Sequence, residues 1–283
     1  MENLLGLYEK ALPKEMDWFK KLRTAKELGF DFMEVSIDET DEKLARLLWT
    51  KEEKSKLRET MAELQMPIMS MCFSGHRRYP LGSRSEETRE QALDLMEKAI
   101  RFASEMGIRV IQLAGYDVYY EEHGEDTLAY FIAGLKKSVA MAAKYQVMLA
   151  IEIMDTTFLN SIQKYMEYDQ LIQSPWLTVY PDIGNLSAWG NDVGYELEIG
   201  CSRIVAVHIK ETLNVTDSFP GKFRDTPFGT GDVDFVGIFK KLKSLEYSGP
   251  FLIEMWADTF TDPLAEITRS RAFVLDKLKA GGF

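Results

Sequence analysis

The 283-residue chain carries 45 acidic and 34 basic side chains, giving a net charge of −11, and 46% of its residues are hydrophobic. The acidic balance argues against a nucleic-acid-binding surface, and the apolar content is sufficient for a large core. No apolar stretch reaches the roughly 18 residues that span a membrane, and no charged leader precedes an apolar run at the N-terminus. We therefore expect a cytoplasmic protein with neither nucleic-acid nor membrane partners.

Strand and helix patterns alternate along the whole chain. Short apolar runs, typical of buried parallel strands, occupy residues 4–8, 32–37, 68–73, 110–114, 147–153, 177–182, 204–211 and 251–255. Amphipathic segments with helix caps cover residues 18–28, 50–64, 85–107, 126–145, 161–172, a short stretch ending near 200, 235–245, and 262 onwards. Residues 183–190 and 211–233 are predicted loops. Eight such units predict an α/β fold, a single (β/α)8 TIM barrel over residues 1–283, whose active site lies at the C-terminal strand ends.

Four consecutive predicted strands end in a polar side chain. These side chains are Glu152, Asp182, His208 and Glu254. The C-terminal ends of neighbouring barrel strands meet at one mouth, and an unpaired charge at a buried strand end is costly. Three carboxylates and one imidazole therefore predict one divalent metal ion, and the mixed oxygen and nitrogen set suits Zn, Mn, Mg or Co. The alternative is that some of these acids are solvated strand ends paired with Lys210, Lys222 or Arg224.

Longer motifs resemble a known family. The Glu, Asp, His and Glu that follow the fifth to eighth strands resemble the ligand order of the xylose-isomerase-like sugar isomerases and epimerases. Six further motifs resemble the L-ribulose-5-phosphate 3-epimerases, also called L-xylulose-5-phosphate 3-epimerases. They lie at residues 6–13 (GLYEKALP), 30–34 (FDFME), 77–83 (RRYPLGS), 112–120 (QLAGYDVYY), 180–189 (YPDIGNLSAW) and 249–256 (GPFLIEMW). The resemblance therefore extends over nearly the whole chain.

The resemblance implies an isomerase that interconverts L-xylulose 5-phosphate and L-ribulose 5-phosphate in L-ascorbate and pentose breakdown. Inverting C3 requires loss of a proton next to the C2 carbonyl and its return from the opposite face. A metal can stabilise the enediolate charge as a Lewis acid, and two acid/base groups are needed. Glu152 and Glu254 come from strands separated by two others, so they are the predicted catalytic pair, while Asp182 and His208 hold the metal.

The phosphate of such a substrate requires cations or backbone N–H groups. The loop after the third strand offers His76, Arg77 and Arg78, and the loop after the seventh offers Lys210, Lys222 and Arg224. Arg77 and Arg78 are equally compatible with a solvated surface pair.

Three further features bear on substrate and assembly. Trp256 follows Glu254 and is placed at the barrel mouth. Asn185 is a substrate-binding candidate, although related epimerases often carry a histidine soon after the Asp of the sixth strand. The outer helices offer a surface for a homodimer.

Other functions are compatible with parts of this pattern. The same site would serve an aldose–ketose isomerase or a dehydratase of an unphosphorylated sugar or inositol derivative. A metal-dependent nuclease on the same barrel is disfavoured, because the chain has three histidines and a charge of −11. A non-catalytic sugar-phosphate-binding protein is disfavoured by the presence of both glutamates.

Overall fold

The computed structural model describes residues 3–283, and within them eight strands form one sheet. The strands are β1 (Leu5–Tyr8), β2 (Phe32–Ile37), β3 (Ile68–Phe73), β4 (Val110–Ala114), β5 (Met148–Glu152), β6 (Leu177–Tyr180), β7 (Val207–Ile209) and β8 (Phe251–Ile253). Every pair in the order β6-β5-β4-β3-β2-β1-β8-β7 is parallel. The sheet closes where β6 meets β7, through bridges between Val179 and Ile204 and between Asp182 and His208. The predicted (β/α)8 barrel is confirmed.

Helices cover the outside of the barrel. They are α1 (Trp18–Glu27), α2 (Asp41–Ala45), α3 (Lys51–Leu64), α4 (Glu86–Met106), α5 (Glu125–Tyr145), α6 (Ile162–Ile172), α7 (Ile183–Ala188), α8 (Val193–Gly200), α9 (Phe235–Ser244) and α10 (Pro263–Gly281). Most begin at a side-chain cap, for example the Thr50–Glu53 capping box of α3. Among residues 3–283, no helix is long and apolar enough to cross a bilayer.

Side chains alternate between the two faces of the closed sheet. The outward set, such as Leu7, Val35 and Ile151, belongs to one large core between strands and helices. The inward set is apolar at the bottom of the barrel, where Phe32 and Leu252 pack together. Towards the C-terminal ends the inward set becomes polar. Barrel closure therefore brings side chains from non-neighbouring strands into one buried polar layer.

Two local elements differ from the sequence prediction. Residues 183–190 were predicted as a loop, but α7 begins directly after Asp182, because the Asp182 carboxylate accepts a hydrogen bond from the Asn185 N–H. The seventh strand is three residues long, since only Val207–Ile209 pair continuously with β8.

Candidate active site

The structure brings the four predicted ligands together at the C-terminal mouth. Glu152 ends β5, His208 lies in β7, and Asp182 and Glu254 directly follow the ends of β6 and β8. One ligand atom from each lies within 4.8 Å of the others, and all four side chains are buried. The Nδ1 atom of His208 is 3.0 Å from Glu152 Oε1.

Asp182 is held by the helix that it caps. Its Oδ1 accepts the Asn185 N–H at 2.9 Å, which leaves Oδ2 facing the cluster. Lys210 Nζ lies 2.6 Å from Asp182 Oδ2 and 3.1 Å from Glu254 Oε2. Lys210, a predicted phosphate ligand, therefore has its ammonium group beside two carboxylates of the cluster.

Burial and neighbouring charges shift the pKa values of the two glutamates in opposite directions. Burial raises the pKa of Glu152 to about 7, and the nearby Glu254 charge acts in the same direction. Burial also opposes ionisation of Glu254, but Lys210 and His208 outweigh it and hold the pKa of Glu254 at about 2.

The donor set fits a divalent metal ion. Within residues 3–283, the buried Asp182 Oδ2 and Glu254 Oε2 accept no hydrogen bond of normal geometry, although Lys210 is close. Lys210 supplies one positive charge to a cluster with three buried carboxyl groups, and a divalent cation would balance the remaining negative charge. Together with Glu152 and His208, these oxygens can hold a metal ion.

Other buried polar groups support the cluster from below. Glu34 Oε1 lies 2.9 Å from His208 Nε2, and Glu34 Oε2 accepts a hydrogen bond from Ser70 Oγ. The Gln112 amide donates to Glu152 Oε2. The sequence analysis did not single out these residues. Glu34 could have been found from the sequence, because it lies in the middle of a predicted buried strand and a buried carboxylate requires a partner.

A cavity of 190 Å³ opens above the cluster. Glu152 and Glu254 line it, whereas Asp182 and His208 are fully buried and do not. Three predicted substrate contacts, Asn185, Lys210 and Trp256, also line it. Asn185 Nδ2 donates to the Ile153 carbonyl, and Asn185 Oδ1 is buried without a partner among the described residues.

Two predicted phosphate ligands reach the cavity wall. Arg77 donates to the Tyr116 hydroxyl at 3.0 Å and Arg224 stacks on Trp256, with 4.1 Å between the guanidinium carbon and the ring centroid. Within residues 3–283, neither guanidinium group forms an ion pair with a carboxylate. Lys10 also lines the cavity, but its ammonium group pairs with Asp38 at 2.6 Å.

The other three predicted phosphate ligands do not line this cavity. His76 is buried and lies 3.3 Å from the Ala92 carbonyl. Arg78 is exposed and pairs with Asp41. Lys222 is also exposed, and its ammonium group donates to the Asp225 carbonyl. Each of these side chains is held by its local partner and does not reach the cavity.

The fold and the site define a class that matches a known family model. Residues 22–277 match the model described as xylose isomerase-like TIM barrel. A solved structure of an L-ribulose 3-epimerase superposes with a TM-score of 0.77 at 19% identity, covering 99% of this chain and 96% of that one. At that identity the likeness concerns the fold.

Relatives of higher sequence identity identify the family more narrowly. The chain is 55% identical to SgbU of Escherichia coli (strain K12) over 279 residues, which is 99% of this chain and 98% of the relative. It is 51% identical to the L-ribulose-5-phosphate 3-epimerase UlaE of Shigella boydii over 278 residues, 98% of this chain and 96% of the relative. The chain belongs to the L-ribulose-5-phosphate 3-epimerase family of xylose isomerase-like TIM barrels, an isomerase family, as its sequence motifs predicted.

Proposed function

We propose that this chain interconverts L-xylulose 5-phosphate and L-ribulose 5-phosphate by two-base deprotonation and reprotonation at C3. The observation that carries the proposal is that Glu152 and Glu254 reach the cavity while Asp182 and His208 lie beneath it. The two glutamates are therefore able to contact the sugar. Family membership supplies the substrate class.

In this mechanism the glutamates act on opposite faces of the sugar. One carboxylate removes the C3 proton, and the other supplies a proton to the opposite face of the enediolate. When both glutamates bind the ion, both are ionised. Each would therefore move a proton through its free oxygen or as its bond to the ion loosens. Their roles exchange when the other epimer is the substrate.

We propose that Glu152, Asp182, His208 and Glu254 hold one divalent ion, Zn, Mn, Mg or Co. When bound, the ion supplies Lewis-acid stabilisation of the negative charge that develops on the sugar oxygens. Metal analysis after dialysis should give about one ion per chain. His208→Ala should lose it, and full occupancy in that variant would contradict the ligand assignment.

The substrate is held by groups along the cavity wall. Asn185 Oδ1 accepts a hydrogen bond from a sugar hydroxyl, because its amide nitrogen is already committed to the Ile153 carbonyl. Trp256 forms an apolar wall beside the sugar. Arg77 and Arg224 bind the phosphate, since both lack a carboxylate partner in the described chain.

Proton chemistry at C3 distinguishes this proposal from aldose–ketose isomerisation. Purified protein in D₂O is given L-xylulose 5-phosphate, and the products are followed by NMR. We expect L-ribulose 5-phosphate with one deuterium at C3 and no aldose. Formation of an aldose with deuterium at another carbon would contradict the proposal. A role in L-ascorbate breakdown, a cytoplasmic location and a homodimer remain predictions of the sequence analysis.

A further inference from the structure

Glu34 is a charged side chain in the middle of β2 with no solvent contact. Its exposed fraction is 0%, and neither of its oxygens reaches the substrate cavity. Both oxygens have partners in the barrel interior. Oε1 lies 2.9 Å from His208 Nε2, and Oε2 accepts the Ser70 hydroxyl at 2.6 Å. A buried carboxylate is stable only with such partners.

The contact with His208 crosses the barrel. Strands β2 and β7 are separated by β1 and β8 in the sheet order, so the Glu34 and His208 side chains meet inside the closed sheet. The His208 ring is fully buried, and its centroid lies 4.4 Å from that of Tyr180. His208 Nε2 contacts Glu34, and the other ring nitrogen, Nδ1, lies 3.0 Å from Glu152 Oε1. The imidazole ring is therefore held at both nitrogens and on one face.

We infer that Glu34 is a positioning residue that selects Nδ1 of His208 as the metal-binding atom. Each ring nitrogen faces a carboxylate oxygen, and a carboxylate can only accept hydrogen bonds. Glu152 belongs to the proposed ligand set and Glu34 does not, so a bound ion would take the place of the proton on Nδ1, while Nε2 keeps its proton towards Glu34. Ser70 occupies the second oxygen of Glu34 and so directs the first towards the ring. Partners of this kind fix the tautomer and the ring orientation of metal-bound histidines.

Glu34→Gln tests the inference because it keeps the shape of the side chain. The glutamine amide is neutral and can present either its carbonyl oxygen or its N–H to Nε2, so it holds the proton on that nitrogen less strongly than the carboxylate does. The metal dissociation constant is measured by competition between Zn²⁺ and a chromophoric chelator. We expect 10- to 100-fold weaker binding, the range found for such partners. Ser70→Ala should weaken binding less, in the same direction.

Glu196→Gln is the matched control. Glu196 is also a buried glutamate, and it accepts the Gln163 N–H at 2.9 Å away from the metal cluster. Its substitution should leave the dissociation constant within about twofold of the unmodified value, which separates loss of ring positioning from loss of a buried carboxylate. Unchanged Zn²⁺ affinity in Glu34→Gln would overturn the inference.

A second measurement uses the unmodified protein and does not depend on folding of a variant. The chain has three histidines, so ¹⁵N-labelled imidazoles give few signals, and those of His208 are the ones expected to shift when Zn²⁺ is added. With Zn²⁺ bound, we expect the metal on Nδ1 and the proton on Nε2. Zn²⁺ on Nε2 would overturn the inference.

The inference rests on the proposed metal site, but the two can fail separately. Absence of Zn²⁺ binding to the unmodified protein would contradict both the metal site and the role of Glu34. Binding by the unmodified protein together with equal affinity of Glu34→Gln would remove only the role of Glu34.

Discussion

Glu152 and Glu254 illustrate how burial and neighbouring charge separate two chemically identical groups. Both are buried at the same mouth, yet Glu254 is beside the Lys210 ammonium and Glu152 is not paired with it. The different environments explain the opposite directions of their pKa shifts. At this scale the sequence predicted which four side chains meet at the mouth, but not the directions of their pKa shifts. Those directions depend on Lys210, whose side chain turns towards Asp182 and Glu254.

Alanine substitutions of Arg77 and Arg224 test the proposed recognition of the substrate phosphate. Arg224→Ala should raise KM for L-xylulose 5-phosphate about 10- to 100-fold, the equivalent of one charged hydrogen bond of roughly 1.5–3 kcal/mol. Arg77→Ala should act in the same direction. The free sugar should be affected much less, because it lacks the phosphate. Steady-state kinetics with both sugars measure the difference.

Arg78→Ala is the control for that series. Arg78 pairs with Asp41 outside the cavity, so its removal should leave the preference for the phosphorylated sugar unchanged. If the double variant of Arg77 and Arg224 keeps the normal preference, the phosphate is held elsewhere, for example by backbone N–H groups.

The strands are the elements that the sequence predicted best. Continuous apolar runs located all eight, because parallel strands buried on both faces carry few polar residues. The contacts of Glu34 and Gln112 could not be predicted in the same way. They depend on which strands oppose each other across the closed barrel, and local patterns contain no such information. Helix α7 was missed because its N-cap, Asp182, was interpreted only as a metal ligand.

Gly6 in β1 tests the packing at the bottom of the barrel. A methyl group at Gly6 would overlap the ring of Phe32, which is 1% exposed and cannot move aside freely. We expect Gly6→Ala to lower the free energy of unfolding by about 1–3 kcal/mol through overpacking. Urea denaturation measures the change.

Two further variants control this prediction. At Gly194 in α8, an added methyl meets nothing closer than 3.4 Å, so Gly194→Ala should be neutral or stabilising by up to about 1 kcal/mol. In a Phe32→Leu background, where the side chain is smaller, Gly6→Ala should lower the free energy of unfolding by less than it does in the unmodified protein. Additive effects of the two substitutions would contradict a steric origin.

The stability of the whole molecule depends on a further buried carboxylate, Glu9, which lies outside the four-residue cluster at the mouth. Glu9, just after β1, is fully buried and contacts three cations, with Lys21, Lys43 and Arg46 at 2.7–2.8 Å. Burial opposes its ionisation, but Arg46 and the two lysines outweigh it and hold the pKa of Glu9 well below its usual range. The charged form of Glu9 therefore stabilises the folded state.

This network predicts a loss of stability in acid. A carboxyl group with a depressed folded-state pKa stabilises the protein above its unfolded pKa of about 4.3. The contribution is lost as the pH falls from there towards the folded-state value. At pH 7, Glu9→Gln should cost about 3–5 kcal/mol, because it leaves buried cations unpaired. Denaturation from pH 7 to pH 3 should show the difference between the two proteins shrinking below about pH 4.3. A constant difference would show that the charge of Glu9 is not responsible.

The exchange of the C3 proton in Glu152→Gln and Glu254→Gln tests the two-base mechanism most directly. Each substitution keeps the shape and removes one acid/base group, so epimerisation should fall at least about 100-fold. With one epimer, the variant that lacks only the reprotonating group should still exchange the C3 proton with D₂O. With the other epimer, the second variant should do so. Epimerisation at a near-normal rate by either variant, with metal bound, would contradict the mechanism.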